Sequence, residues 1–148
     1  MPALVGVVEA RRPRSITTAT TADTRMTILL VEDDESIREL LSWALASYGF
    51  DVILAASAEE AETLVRDGAP RLALIVSDVC LPGASGLELA RRLASICPDL
   101  RWLLISGDPA VESVIHQEDL RAGFLAKPFR TSTLIDRVRA LVVRPASR

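Results

Sequence analysis

LALIVSDVCLPGASG, Leu72 to Gly86, is the stretch that decides the fold. An apolar run, Leu72 to Val76, stops at a carboxylate, Asp78, and a Leu-Pro-Gly turn and a Gly-Ala-Ser-Gly loop follow. A short continuous apolar run bounded by turn residues reads as a strand buried on both faces, as in a parallel sheet. Asp78 then sits just past the carboxyl end of a central strand, the edge where open α/β sheets bind ligands. A lone Asp there would do no more than cap a turn. The segments on either side give it company.

Upstream, Thr27 to Val31 (TILLV) is a buried strand that runs into Glu32, Asp33 and Asp34. Ile37, Leu40, Leu41, Ala44, Leu45 and Tyr48 recur at helical spacing behind it. Ser36 with Glu39 has the spacing of a capping box, Asp34 is the alternative cap, and Gly49 ends the helix. Asp51 to Ala55 is a second strand, and Ser57 with Glu60 opens a second helix that Gly68 closes. Downstream, Ser85 and Glu88 cap a third helix with Leu89, Leu93 and Ile96 on one face. Trp102 to Ile105 is a fourth strand, ending at Ser106 and Gly107. Pro109 to Ala122 is the least regular stretch and reads as a helix. Phe124 to Ala126 is a short fifth strand before Lys127-Pro128-Phe129, and Thr131 or Ser132 starts a last helix with Leu134, Val138 and Leu141 inward. Strands alternating with helices predict an α/β fold: a parallel sheet covered on both faces.

Four strands of this scheme end in polar groups at one edge: Glu32 and Asp33, Asp78, Ser106, and Lys127. The second strand ends in alanines and belongs at the sheet margin. Neighbouring strands lie ~5 Å apart, and carboxylates at that distance repel by ~3 kcal/mol per pair at an effective dielectric of 20. A cation among them offsets that cost. Oxygen ligands without His or Cys favour a hard divalent ion, Mg²⁺ first. Mg²⁺, an ammonium and a hydroxyl together suit a phosphoryl group, and Asp78 is the natural nucleophile because carboxylates form acyl phosphates. Lys127 is the only Lys among 17 basic residues, the others all Arg, which favours a specific use for its compact ammonium.

The bulk properties narrow the classes. With 148 residues, 49% hydrophobic and 25% charged, the chain reads as one domain, here 26–148. Residues 1–25 carry a net charge of +2 against −3 for the whole and show no periodic apolar face. They read as a disordered tail, or as sequence upstream of a true start at Met26. Neither part has the dense basic patch of a nucleic-acid binder. No apolar run approaches the ~20 residues of a membrane span. Cys80 and Cys97 form neither CxxC nor a metal spacing and suit a reducing cytoplasm. No GxGxxG follows the first strand, which argues against a dinucleotide site.

VEDD (31–34), SDVCLPGASG (77–86), ISG (105–107) and FLAKPF (124–129), each at the end of its strand, resemble the receiver domain of two-component response regulators, the CheY-like family. The match runs from Met26 to about Val143. The FLAKPF segment and the irregular stretch before it resemble receivers of hybrid histidine kinases. The resemblance implies a flavodoxin-like sheet of order 2-1-3-4-5 with five helices, Asp78 as phosphoacceptor, and Glu32 and Asp33 holding Mg²⁺ with the backbone carbonyl of Cys80. It further implies Ser106 and Lys127 on the phosphoryl group, Phe124 as the aromatic switch partner of Ser106, and a cis Lys127-Pro128 bond. Asp34 falls one place beyond the acidic pair. Cys80 reads as a packing residue, His116 as a solvated helix position, and Asp108 as a group that tunes hydrolysis. The implied partners are a histidine kinase or phosphotransfer protein and an unidentified downstream protein, with no direct DNA binding and no membrane. The leading reading is a stand-alone response regulator that takes a phosphoryl group on Asp78 from a kinase phosphohistidine; the competing readings are a phosphorylation-independent pseudo-receiver and a metal-dependent phosphatase. The latter usually carries a second acid two residues after the nucleophile, where this chain has Cys80.

Overall fold

The computed structural model describes residues 25–68 and 71–142. Residues 1–24, 69, 70 and 143–148 lie outside it, and with them the expectations for the N-terminal tail. Five strands alternate with five helices: β1 Thr27–Val31, α1 Glu35–Ser47, β2 Asp51–Ala55, α2 Ala58–Arg66, β3 Leu72–Asp78, α3 Gly86–Ile96, β4 Trp102–Ser106, α4 Ala110–Glu118, β5 Ala122–Ala126 and α5 Thr131–Val142. All pairings are parallel and the order is β2-β1-β3-β4-β5, as expected.

The pleat sorts successive residues to opposite faces. Leu29, Val31, Ile53, Ile75 and Leu104 pack with α2, α3 and α4 through Ala58, Ala61, Leu89, Leu93, Val111 and Ile115. Ile28, Leu30, Val52, Leu74, Val76, Leu103 and Ile105 pack with α1 and α5 through Leu41, Leu45, Leu134, Ile135 and Val138. With both faces covered, the polar residues that end the strands are left at the carboxyl edge of the sheet.

Local chemistry sets the element ends. Asp34, not Ser36, caps α1: its Oδ1 accepts the Ile37 N–H at 3.0 Å. Asp34 has the extended backbone a cap needs, whereas Ser36 is already inside the helix. Ser57 caps α2 by accepting the Glu60 N–H at 3.0 Å, and Glu60 reaches past it to the Ala56 N–H at 2.8 Å. Ser85 and Glu88 form the full reciprocal capping box of α3.

The buried faces of three helices and the start of one strand differ from expectation. On α1 only Leu41, Ser42, Ala44 and Leu45 are buried; Ile37, Leu40 and Tyr48, expected inward, are exposed along with Trp43. Ile96 on α3 is likewise exposed. A helical period gives the direction of an apolar stripe but not its width, and these residues lie past its margin. On α5, Ile135 is buried with Leu134 and Val138, and Leu141 is only partly so. β5 begins two residues earlier than expected because Ala122 and Gly123 carry almost no strand signature. A Cβ on Gly123 would stand 3.3 Å from Leu141 Cδ1, so the missing side chain lets α5 close on the sheet.

Gly86 is the tightest position. A Cβ there would lie 2.4 Å from the Asp78 carbonyl oxygen and 2.9 Å from Ser77 Oγ. The obstacle is main chain and cannot rotate away. Gly86→Ala is therefore expected to destabilise the fold by about 3 kcal/mol, measured as a lower urea midpoint with an unchanged slope.

Candidate functional site

β1, β3, β4 and β5 each deliver one component to the carboxyl edge. Glu32 leaves β1 with its N–H on the Ala55 carbonyl at 3.1 Å. Asp78 closes β3, and the next residue ties that strand to β4 through Val79 N–H to Ile105 O at 2.9 Å. Ser106 ends β4, and its carbonyl accepts the Lys127 N–H at 3.0 Å. The ladder therefore sets Asp78, Ser106 and Lys127 at the ends of three adjacent strands.

One oxygen each from Glu32, Asp33 and Asp78 lie within 4.8 Å of one another. Glu32 and Asp78 are buried, and Asp33 is exposed. Lys127 Nζ donates to Asp78 Oδ2 at 2.9 Å, and the Cys80 N–H donates to Asp78 Oδ1 at 3.2 Å. The Lys127–Pro128 peptide is cis, as the resemblance implies. Ser106 is buried, and its Oγ accepts the Asp108 N–H at 2.9 Å. Asp108 itself turns away to α4, where Oδ1 accepts the Ala110 N–H at 2.9 Å. Phe124 is half-buried outside this cluster. It pairs with Leu104, two residues before Ser106, so it shares a sheet face with Ser106. Cys80 is exposed rather than packed, because it has left the strand and stands on the loop. His116 is exposed on α4.

The electrostatics follow from this crowding. Burial pushes the Glu32 carboxyl above its ordinary 4.5, the Asp34 N–H pulls it back, and the charge of Asp78 raises it further. Lys127 loses solvation on burial, which alone would lower it, but the hydrogen bond and charge of Asp78, with Glu32 behind, raise it above 10.5. One ammonium cannot balance three carboxylates. A hard divalent cation held by oxygen ligands fits the donor set: carboxylates within mutual reach of one ion and no softer ligand among them.

The Glu32 shift carries a sign. A carboxyl whose folded pKa is raised binds its proton more tightly in the folded state, so stability falls as pH rises through 4.5 and beyond. Glu32→Gln removes that penalty. Without divalent ions it is expected to raise the midpoint of thermal unfolding at pH 7. At pH 4 the gain should shrink, and thermal melts at the two pH values check both.

The sequence did not reveal two side chains that brace this edge. Arg38 on α1 donates to the Glu32 carbonyl at 2.8 Å. Glu59 on α2 accepts the Ala84 N–H at 3.2 Å, tying α2 to the loop after Asp78. Both act on main-chain atoms, which carry no sequence signature. The nearest signal for Arg38 was its place one helical turn past the Asp34 cap.

Comparison with known proteins fits this geometry. Residues 28–139 match the response regulator receiver domain family. The chain belongs to that family. Receiver domains of this kind are signalling modules of two-component systems, in which phosphorylation and Mg²⁺ binding at an acidic pocket are general. The response regulator MprA of Mycobacterium sp. (strain KMS) is 36% identical over 118 residues, covering 79% of this chain and 50% of MprA. The chain thus spans about half the length of such curated relatives. The sensor kinase CckA of Brucella abortus is 32% identical over 136 residues, covering 90% of this chain and 14% of the kinase. That match agrees with the likeness to hybrid-kinase receivers. The response regulator TrrA of Thermotoga maritima, solved in complex with Mg²⁺-BeF, superposes with a TM-score of 0.70 at 28% identity, covering 78% of this receiver and 98% of TrrA. No helix among the described residues is long and apolar enough to cross a membrane.

Proposed function

We propose that this receiver is a phosphorylation switch in which Asp78 takes a phosphoryl group from a phosphohistidine on a partner histidine kinase or phosphotransfer protein. One observation carries the reading: the ammonium of Lys127 sits 2.9 Å from a buried carboxylate, Asp78, that shares a 4.8 Å cluster with Glu32 and Asp33. In the step, a carboxylate oxygen of Asp78 attacks phosphorus, the P–N bond breaks, and the imidazole leaves. Water later attacks the same phosphorus and returns the carboxylate and inorganic phosphate.

Glu32, Asp33, Asp78 and the Cys80 carbonyl would hold Mg²⁺, which supplies charge neutralisation for the phosphoryl oxygens. Lys127 and Ser106 take the remaining phosphoryl oxygens. Ser106 Oγ already accepts the Asp108 N–H, so its own proton remains available to donate. Drawing Ser106 toward a phosphoryl group frees space on the face it shares with Phe124. The surface of α4, β5 and α5 then carries the signal to a downstream protein that discriminates between the two shapes. The reading is of a cytoplasmic module acting through protein contacts, without direct DNA or membrane binding, and catalysing only its own phosphorylation and dephosphorylation.

The test uses Mg²⁺ and a small acyl phosphate as donor. Intact mass should show the addition of one phosphoryl group, abolished by chelation of the metal. No addition, with either this donor or a phosphorylated kinase, would defeat the reading.

A further inference from the structure

The loop that carries Glu32 and Asp33 has left the sheet. β1 pairs with β2 and β3 only as far as Val31. Beyond it, the Glu32 N–H still reaches the Ala55 carbonyl, but among the described residues no main-chain N–H donates to the carbonyls of Glu32 and Asp33 ahead of α1. Arg38 supplies one. Its Nη1 donates to the Glu32 carbonyl at 2.8 Å and comes within 3.5 Å of the Asp33 carbonyl. Its own N–H donates to the Asp34 carbonyl at 2.8 Å, so one residue holds the loop by main chain and side chain together. The Asp34 N–H in turn donates to Glu32 Oε2 at 3.0 Å, which passes the fixed backbone position on to the carboxylate.

The choice of partner is informative. Four acidic residues, Glu32 to Glu35, precede Arg38 within its reach along the chain. Yet among the described residues its guanidinium forms no ion pair with a carboxylate. It takes carbonyl oxygens and leaves the acids to a cation. We propose that Arg38 is the positioning residue of the metal site, holding the loop so that the Glu32 and Asp33 carboxylates face Asp78. This rests on the reading of those acids as Mg²⁺ ligands.

Geometry and charge predict opposite signs, which makes the assignment testable. If Arg38 acted only as a positive charge near the acids, removing it would tighten Mg²⁺ binding. If it holds the loop, removing it loosens the ligands and weakens binding, as loss of groups that orient metal ligands does. The experiment titrates Mg²⁺ alone into the full chain and follows the amide shifts of Asp33, Asp34 and Cys80, with calorimetry for affinity. Arg38→Gln, which loses the reach and the charge, should weaken binding by about tenfold. Arg38→Lys keeps the charge but loses the planar fork, and it should weaken binding by less. Without metal, the Asp33 and Asp34 amides of Arg38→Gln should exchange faster than in the wild type, while core amides of β3 and β4 stay protected. Arg38→Gln binding Mg²⁺ as tightly as the wild type, or more tightly, overturns the assignment while leaving the site itself standing. A wild type that shows no Mg²⁺-dependent shift at these amides overturns the site and the assignment together.

Discussion

Asp78→Asn is expected to take up no phosphoryl group from an acyl phosphate or a phosphorylated kinase, while folding as the wild type does. The substitution keeps the size and shape of a buried side chain at the end of β3. The amide oxygen can take the place of Oδ1 and still accept the Cys80 N–H, now at 3.2 Å, while Lys127, which now donates to Oδ2 at 2.9 Å, would meet the amide NH2 and turns to solvent. What it lacks is the anionic lone pair that attacks phosphorus, so the loss should be complete rather than partial. Intact mass after prolonged incubation with donor and Mg²⁺ checks this. Circular dichroism, unchanged in shape, shows that the fold is retained.

Lys127→Ala should lower the phosphorylation rate by about a hundredfold while leaving Mg²⁺ affinity at least as high as in the wild type. Removing one preorganised donor from a developing phosphoryl charge typically costs two to three powers of ten. The lower figure applies because the lysine side chain is 39% exposed and water can take part of its place. Affinity should not fall, because the ammonium competes with the metal for the same field of carboxylates. A rate loss accompanied by metal loss would mean that Lys127 supports the site rather than the reaction. The pKa direction adds a stability signature. A lysine whose folded pKa is raised contributes stability that is full below 10.5 and is lost as pH climbs through the folded value. The wild type should therefore shed stability above pH 10.5 that the alanine variant never had.

Much of this was legible in the sequence because strand ends are chemically marked. An apolar run that stops at Asp78, Glu32, Ser106 or Lys127 reports both a strand and the edge at which it ends. The sheet order put those ends side by side. α4 was less legible because little holds it. Only Val111 and Ile115 are buried, and Pro109 offers no side-chain cap. The helix stops at Asp119, which adopts the left-handed backbone with φ 56°. A Gly there would have marked the end plainly; Asp tolerates it without announcing it. On α1 the apolar period continued past the buried stripe into Ile37 and Leu40, and burial is decided by what packs opposite, which no local pattern shows. Arg38 and Glu59 stayed hidden for a third reason. Their partners are main-chain atoms of Glu32 and Ala84, and almost any residue type would present the same carbonyl or, proline excepted, the same N–H.

The most direct measurement is chemical trapping of the phosphorylated residue. Borohydride reduces an acyl phosphate to the corresponding alcohol, so a phosphorylated aspartate is recovered as homoserine. The full chain, phosphorylated with Mg²⁺ and a small acyl phosphate, reduced, digested and sequenced by mass spectrometry, should carry homoserine at position 78 and at no other acid. Reduction at Glu32 or Asp33, with position 78 still aspartate, would contradict the account.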